Sequence, residues 1–129
     1  MKDKELDIFF NRFGAPELRL LDNGRFVSFS GKSLGFLDKE NIYDYNGNHL
    51  GWLQNGVIRD HGGNIVWFGN TPSDFPLPFL PFKQFLPFRG FTEFEPFRPP
   101  FLTFPPFKPF KSYNWSSFNL KSFFNIKNG

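Results

Sequence analysis

Two histidines and two aspartates are the residues whose types and spacing come closest to a chemical site. His49 and His61 are the only histidines, and Asp44 and Asp60 each stand ahead of one of them in the sequence. Imidazoles joined by a carboxylate would suit a transition-metal ion. Both aspartates, however, recur at the spacing of an internal repeat and lie beside predicted turns, where aspartate commonly binds backbone N–H groups. We therefore interpret them as turn residues and predict no metal site.

The other reactive groups of the chain offer little chemistry. There is no cysteine, which excludes a disulfide framework and thiol chemistry. Glu93 and Glu95 lie in a segment that is predicted to be extended, where a single chain forms no pocket. The sequence has no glycine-rich phosphate loop, nucleophile elbow or paired-histidine motif. We predict no catalytic residue, no cofactor and no enzymatic activity.

A repeat of sixteen residues organises the first part of the chain. Its units are 10–25, which is the weakest, 26–41, 42–57 and 58–73. The weakest unit is fitted with Phe10 matching Phe26 and Leu18 matching Leu34. Each unit is predicted to be a β-hairpin, because Asn-Gly between apolar runs is a strong hairpin signal and needs positive φ at both turn residues. The predicted turn residues are Gly31, Asn46, Gly47, Asn55, Gly56, Gly62 and Gly63.

The hairpins predict an all-β fold, a meander of about eight short strands around a pseudo-four-fold axis. A single hairpin is marginally stable in water, so the units must bury their apolar faces against one another. Two arrangements satisfy this requirement: a radial one, which the sequence mildly favours, and a small closed barrel. The residues expected near the centre of the radial form are Leu34, Leu50, Val66, Phe36, Trp52 and Phe68.

The repeat resembles the four-fold beta-flower domain family of bacterial proteins. The resemblance rests on IYDYNGNHLGWLQNGVIRDHGGNIVWF, from Ile42 to Phe68, and extends more weakly to about residue 15. Members of that family look like a repeat head followed by a proline-rich stretch of period three and a terminal Trp-Ser segment. Pro76 to Pro109 and Trp115-Ser116-Ser117 match this order, with phenylalanine where leucine or isoleucine is usual. The resemblance implies a fold and no activity, so no catalytic residue is carried over.

The second part of the chain repeats phenylalanine at every third position. Fifteen of the 22 phenylalanines and ten of the 12 prolines lie beyond residue 74. A period of three is that of polyproline II, which has three residues per turn. We predict a head at 1–74, a polyproline II arm at 75–111 and a docking segment at 112–129. The predicted interaction stripe is Phe79, Phe82, Phe85, Phe88, Phe91, Phe94, Phe97, Phe101, Phe104, Phe107 and Phe110.

The stripe needs a cover, because its rings far exceed the apolar patch that a soluble monomer tolerates. Three kinds of surface could cover the stripe. They are a second copy of the arm, which we favour, the head of the same chain, and a foreign surface, either another protein or a membrane. At the end of the chain, Ser117 is predicted to cap a short helix with Leu120 on its apolar face, terminated by Asn128-Gly129. The predicted docking residues are Trp115, Phe118, Phe123 and Phe124, with packing back onto the chain's own domain as the alternative.

The sequence therefore predicts a non-enzymatic structural or interaction protein that forms a homo-oligomer or binds an unidentified protein. The alternative is a glycan- or small-ligand-binding module that uses Tyr43, Tyr45, Trp52 and Trp67; an exposed Trp67 would favour it, and buried tryptophans would oppose it. The net charge of +3 comes from sparse cations after residue 74, which is weak for nucleic-acid binding. Without a signal peptide or an apolar run of about 20 residues, a cytoplasmic location is expected.

Overall fold

The computed structural model describes residues 4–73 and 80–126. Within the first of these ranges the chain forms an antiparallel meander of eight strands, in which β1 also pairs with β8, so that the sheet closes as a barrel. The predicted all-β meander is confirmed, and of the two arrangements left open the strands adopt the closed one. The strands are β1 (Glu5–Phe10), β2 (Pro16–Leu21), β3 (Arg25–Ser28), β4 (Ser33–Asp38), β5 (Asn41–Tyr43), β6 (His49–Gln54), β7 (Val57–Arg59) and β8 (Ile65–Phe68).

Each of the four hairpins in residues 4–73 carries a register shift at the same place. Phe9, Phe26, Ile42 and Ile58 begin the four shifts. The equivalent of Phe26 in the first hairpin is therefore Phe9, and the predicted match with Phe10 is one residue off. The cause is the β2–β3 connection around Asn23, which is one residue longer than the two-residue turns of the later units.

The turns at the two ends of the barrel differ in type. Asn55 and Gly56 both have positive φ, at 54° and 76°, as a two-residue hairpin turn requires. Asn46-Gly47 does not form such a turn, since only Gly47 of this pair has a positive φ. Its loop is longer, and the Asp44 carboxylate holds it by accepting hydrogen bonds from the backbone N–H groups of Asn46 and Asn48 at 2.9 and 3.0 Å. The predicted turn role of Asp44 is thus observed, but in another type of turn.

The barrel interior is closed by the C-terminal segment. Phe123 and Phe124 are buried in the same cluster as Phe9, Phe26 and Trp67. Gly35 and Gly51 leave room for the two rings: a Cβ on Gly35 would lie 3.0 Å from the Phe124 ring, and a Cβ on Gly51 would lie 3.2 Å from the Phe123 ring. The C-terminal segment is therefore part of the core of the barrel.

The short helix that carries these rings is α1 (Leu120–Phe123). Its N-cap is Asn119, whose side-chain oxygen accepts from the Ser122 N–H at 2.9 Å, and the predicted cap at Ser117 is wrong. The helix ends early, because Phe124 is the C-cap and Asn125 has a φ of 56°. The predicted terminator, Asn128-Gly129, lies outside the described residues. Within the described ranges, no helix has the length and apolarity needed to cross a membrane.

The residues predicted to lie at the centre divide between the two faces of the barrel wall. Leu34 and Val66 are in the interior cluster, and Leu50 packs against it. Phe36, Trp52 and Phe68 are equally buried but belong to the outer face, where they contact other residues. The prediction placed both sets near the centre, as strict alternation between the two faces of a strand would require of residues two apart. The register shift in each hairpin breaks that alternation, because the extra residue shifts the phase of the side chains.

We expect the substitution Phe124→Ala to destabilise the fold by about 3–5 kcal/mol, because it leaves a cavity inside the barrel. Urea denaturation of the full chain measures the loss. Leu6→Ala is the control: that side chain is 57% exposed on β1, so its removal should change the free energy of unfolding very little. Equal effects of the two substitutions would contradict the assignment of Phe124 to the core.

Candidate functional site: the phenylalanine belt

Residues 80–112, here called the arm, run around one end of the barrel. Four backbone N–H groups of the arm donate hydrogen bonds of 2.8 to 3.1 Å to the carbonyl oxygens of four turn glycines. The pairs are Gln84 with Gly14, Glu93 with Gly31, Thr103 with Gly47, and Ser112 with Gly63. These turns follow β1, β3, β5 and β7, so they share one end of the barrel. The arm is therefore hydrogen-bonded to each of the four hairpins, in chain order.

The start of the arm and the segment that directly follows it, residues 113–116, meet over one patch of the outer barrel wall. Leu80 and Trp115 both pack against a cluster that contains Phe10 and Phe68. Trp115 also continues along β8, where the Ser116 N–H donates to the Ile65 carbonyl at 2.8 Å. The arm thus completes a circuit of the barrel.

The turn glycines are required by how closely the arm approaches them. A Cβ on Gly14 or Gly31 would lie 1.8 Å from an arm carbonyl oxygen, and a Cβ on Gly63 would lie 2.5 Å from the Phe110 oxygen. All three also have positive φ, which disfavours any side chain. The predicted turn glycines Gly31, Gly47 and Gly63 therefore serve both the hairpin and the seat of the arm. Gly62 has neither constraint, since the atom nearest its Cβ position is a side-chain nitrogen at 3.3 Å.

The arm has its own repeat of nine residues, which the sequence analysis missed. Phe82, Phe91, Phe101 and Phe110 are each followed two positions later by a polar residue that binds a turn. The spacing is nine except for the one extra residue where the stripe steps from Phe97 to Phe101. The polar residue at this position was the available signal, and the denser period of phenylalanine concealed it.

The polar side chains of the arm cap backbone groups of the barrel. The Glu93 carboxylate accepts from the Ser33 N–H at 2.6 Å, and Thr103 Oγ1 accepts from the His49 N–H at 2.8 Å. The Tyr45 hydroxyl donates to Glu95 at 2.8 Å, and burial, with this carboxylate next, raises the pKa of Tyr45. The expectation that Glu93 and Glu95 line no pocket is wrong, because the arm packs on the barrel and encloses a cleft of about 770 Å³.

The basic side chains of the arm bind the head of the same chain. Arg89 forms a bidentate ion pair with Glu5, with N–O distances of 2.9 and 3.0 Å. This pairing lowers the pKa of the Glu5 carboxyl. Lys108 pairs with Glu40 and lowers its pKa in the same way. Arg98 donates to the Asn23 carbonyl at 2.7 Å. Two cations of the arm are thus paired with carboxylates of the head, and Arg98 is paired with Glu95 of the arm itself.

With its other faces turned toward the barrel, the arm presents its phenylalanines to solvent. Within residues 80–126, ten rings of the stripe have exposed fractions between 87 and 100%. We call these ten residues the phenylalanine belt: Phe82, Phe85, Phe88, Phe91, Phe94, Phe97, Phe101, Phe104, Phe107 and Phe110. Phe79 lies outside the described residues. The arm folds onto its own head, yet this leaves the stripe uncovered. Residues 81–99 form neither helix nor strand, and polyproline II stays a prediction for them.

The predicted docking residues divide between the core and the surface. Phe123 and Phe124 are buried inside the barrel, and Trp115 is half-buried with its ring centre 6.3 Å from that of Phe68. Phe118 remains 46% exposed. The C-terminal segment therefore packs on its own domain, as the alternative to partner docking supposed.

The two histidines bind each other. His49 Nδ1 and His61 Nε2 are hydrogen-bonded at 2.9 Å, and His49 Nε2 is 3.0 Å from the Asn41 side-chain oxygen. Among the described residues, no group of three His, Cys, Asp or Glu side chains is placed to hold a metal ion. Asp60 instead accepts backbone N–H bonds within its turn, as Asp44 does. Burial, with the neighbouring His61 second, lowers the pKa of His49 to about 4.

Three of the four aromatic residues predicted to bind a glycan are buried, so these four form no open surface. Trp52 and Trp67 are 3% and 1% exposed, and Tyr43 is buried as well. The exposed Trp67 that would favour shallow aromatic sites is not observed. This burial opposes glycan binding through the head aromatics.

We expect Gly63→Ala to destabilise the protein by at least about 1–2 kcal/mol, because it combines a left-handed backbone with a clash against the Phe110 carbonyl. Hydrogen exchange of the Ser112 N–H, which binds Gly63, should become faster. Gly62→Ala is the control and should have little effect on either measurement. If the two neighbouring substitutions behave alike, the arm is not seated on Gly63.

We expect the free energy of unfolding to fall as the pH drops from about 6.5 toward 4. The folded pKa of His49 is about 4, below the value near 6.5 of an unfolded histidine, so the unfolded chain binds the proton more readily in this window. His49→Gln should reduce this fall. Urea denaturation at a series of pH values measures both proteins, and identical pH profiles would refute the assignment.

Comparison with known proteins identifies the family of the chain. A family model described as 4-fold beta flower protein matches residues 7–124. Neither the curated proteins nor the solved structures contain a significant match. The matched range runs from β1 to the end of α1 and therefore includes the arm. The chain belongs to the 4-fold beta flower protein family.

Proposed function

We propose that this protein is a non-enzymatic structural unit that assembles with copies of itself through the phenylalanine belt. One observation carries the proposal: ten phenylalanine rings are almost fully exposed on an arm that is fixed to a barrel. In a mobile tail, exposed rings would not form a defined binding surface. Here the backbone is bonded to every hairpin, so the rings stand in a defined row.

The exposed area is too large for an isolated soluble protein. An aromatic side chain can bury roughly 150–250 Å², so ten rings offer about 1,500–2,500 Å². Soluble monomers rarely expose an apolar patch above a few hundred Å². A standard interface uses about 800 Å² on each partner. The belt therefore has enough apolar area for two or three interfaces.

The spacing of the rings favours a second copy as the partner. Residues three apart on an extended arm of this kind lie about 9 Å apart, which leaves a gap between rings that another ring can enter. Every copy carries a row with the same spacing, so two rows are complementary to each other. Arg89 and Lys108 pair with glutamates of the head, so they do not favour an acidic protein or an anionic lipid surface.

The position of the belt favours an extended assembly over a dimer. The arm passes all four odd-numbered strands at one end of the barrel, so phenylalanine rings face outward on every side. A contact on one side leaves the others exposed and able to bind further copies. A single pairing of identical rows would close as a dimer, but a copy that holds neighbours on several sides lets the assembly grow further.

The test is the mass of the full chain in solution, because a truncated head would lose the core residues Phe123 and Phe124. We expect light scattering to show a large oligomer for the unsubstituted protein. The triple substitution of Phe82, Phe88 and Phe94 with Ser should reduce it to smaller species in which each copy keeps its fold, since these rings are 97 to 100% exposed on their own chain.

The matched control replaces three exposed lysines outside the belt, Lys4, Lys32 and Lys121, with Ser and should keep the oligomer. A monomeric parent protein, or a triple phenylalanine variant of unchanged mass, would overturn the proposal. A monomer that binds neutral lipid vesicles through the belt would instead assign the belt to a membrane surface.

A further inference from the structure

We infer that a cleft at the mouth of the barrel, apart from the phenylalanine belt, binds a small neutral polyhydroxylated ligand such as a saccharide. The cleft lies between the first turn, β8 and residues 115–119, and its volume is about 400 Å³. Small-molecule sites typically have volumes of about 300–1,000 Å³ and a few fixed polar groups among apolar side chains. The inference rests on the groups that line this cleft.

Glu17, which lines the cleft, breaks the four-fold repeat. It is the extra residue of the first register shift, between Pro16 and Leu18. The corresponding residues of the other three hairpins are Leu34, Leu50 and Val66. Those aliphatic side chains belong to the barrel interior or pack against it. A carboxylate at a position that otherwise holds an aliphatic side chain is costly to bury unless it is hydrogen-bonded.

Two hydrogen bonds hold the Glu17 carboxylate in place and leave some of its acceptor positions unused. Its Oε1 accepts from the Trp67 indole N–H at 2.8 Å, and its Oε2 accepts from the Asn11 side-chain amide at 3.1 Å. An ionised carboxylate offers about four acceptor positions. Both oxygens therefore keep acceptor capacity, and the side chain is only half-buried. The result is a fixed acceptor facing a cleft, which suits donation from a ligand hydroxyl group.

The rim of the cleft supplies apolar surface that the folded core does not use. Phe13 is 66% exposed and Phe118 is 46% exposed, and both line the cleft. An aromatic face next to fixed polar groups suits a sugar ring, whose C–H face is apolar and whose edge carries hydroxyl groups. These rings are distinct from the buried head aromatics, so the burial of Trp52 and Tyr43 does not oppose this site.

The charges around the cleft favour a neutral ligand. Glu17 is the lining carboxylate, and Arg12 is the lining guanidinium, so the two formal charges cancel. The remaining polar lining consists of amide and hydroxyl side chains, among them Ser117 and Asn119. Such groups donate and accept hydrogen bonds equally well. Glu17 would repel a phosphate group, and Arg12 would repel a cation.

Calorimetric titration of the full chain tests the site with glucose, galactose, N-acetylglucosamine, maltose, cellobiose and chitobiose. Inorganic phosphate and tetramethylammonium serve as charged probes. We expect saturable binding of at least one saccharide and no binding of the charged probes. A chain that binds none of the saccharides, or that prefers a charged probe, overturns the inference and leaves Glu17 only its structural hydrogen bonds with Trp67 and Asn11.

Glu17→Gln is the decisive variant, because its side-chain oxygen can still accept from the buried Trp67 indole; its amide nitrogen no longer accepts from Asn11, and the fold should survive the loss of this one bond. We expect it to weaken saccharide binding by about tenfold or more, since it replaces a charged acceptor. Phe118→Ala should also weaken binding. Asp38→Asn, an exposed acid on β4 away from the cleft, should leave it unchanged. Equal affinity of Glu17→Gln and the parent chain would refute the assigned role of the carboxylate.

Discussion

The close contact between the arm and the turn glycines is the interaction on which the rest of the structure depends. Residues 81–99 of the arm form neither helix nor strand, so their buried N–H groups need partners outside the arm or must be absent. The turn carbonyls satisfy some of these N–H groups, and the prolines remove others. The Cβ-free surface of Gly14, Gly31 and Gly63 allows the approach. Once one face of the arm is fixed in this way, the phenylalanine face has to point outward.

The same contact explains why the strands do not alternate between buried and exposed residues. The arm and residues 114–116 cover part of the outer wall of the barrel, so β7 and β8 are buried along their whole length. Arg59, on β7, is 4% exposed and donates to carbonyls of both Gly63 and Ser112. Barrel, arm and α1 therefore share their buried surface, and the loss of any one of them would expose apolar residues of the others.

The repeat, the hairpins and the stripe could be predicted from the sequence because each depends on local spacing. Asn55-Gly56 forms its expected turn. The equivalent repeat positions Ile42 and Ile58 lie in strands β5 and β7, as expected. The face of Phe36 could not be predicted, because a register shift changes the alternation without changing the composition. The surface on which the arm packs could not be predicted either. A period of three defines a row of phenylalanine rings, but it does not say what the rest of the arm contacts. For Glu17, the signal was a charge at an aliphatic column, which the one-residue error in the first unit concealed.

The departures from four-fold symmetry are concentrated where the single C-terminal segment enters the barrel. Gly35 and Gly51 admit Phe124 and Phe123, whereas the equivalent position of the fourth hairpin carries Trp67, which packs against both rings. The indole N–H of Trp67 then needs an acceptor in the interior, and Glu17 supplies it. The belt, by contrast, recurs on every side. Under both proposals, a copy therefore has many assembly contacts and one saccharide site beside Glu17, so that an assembly would display many identical sites at high local concentration. Weak binding at each site would then suffice for strong binding to a repetitive ligand surface, because linked sites raise the effective concentration of one another.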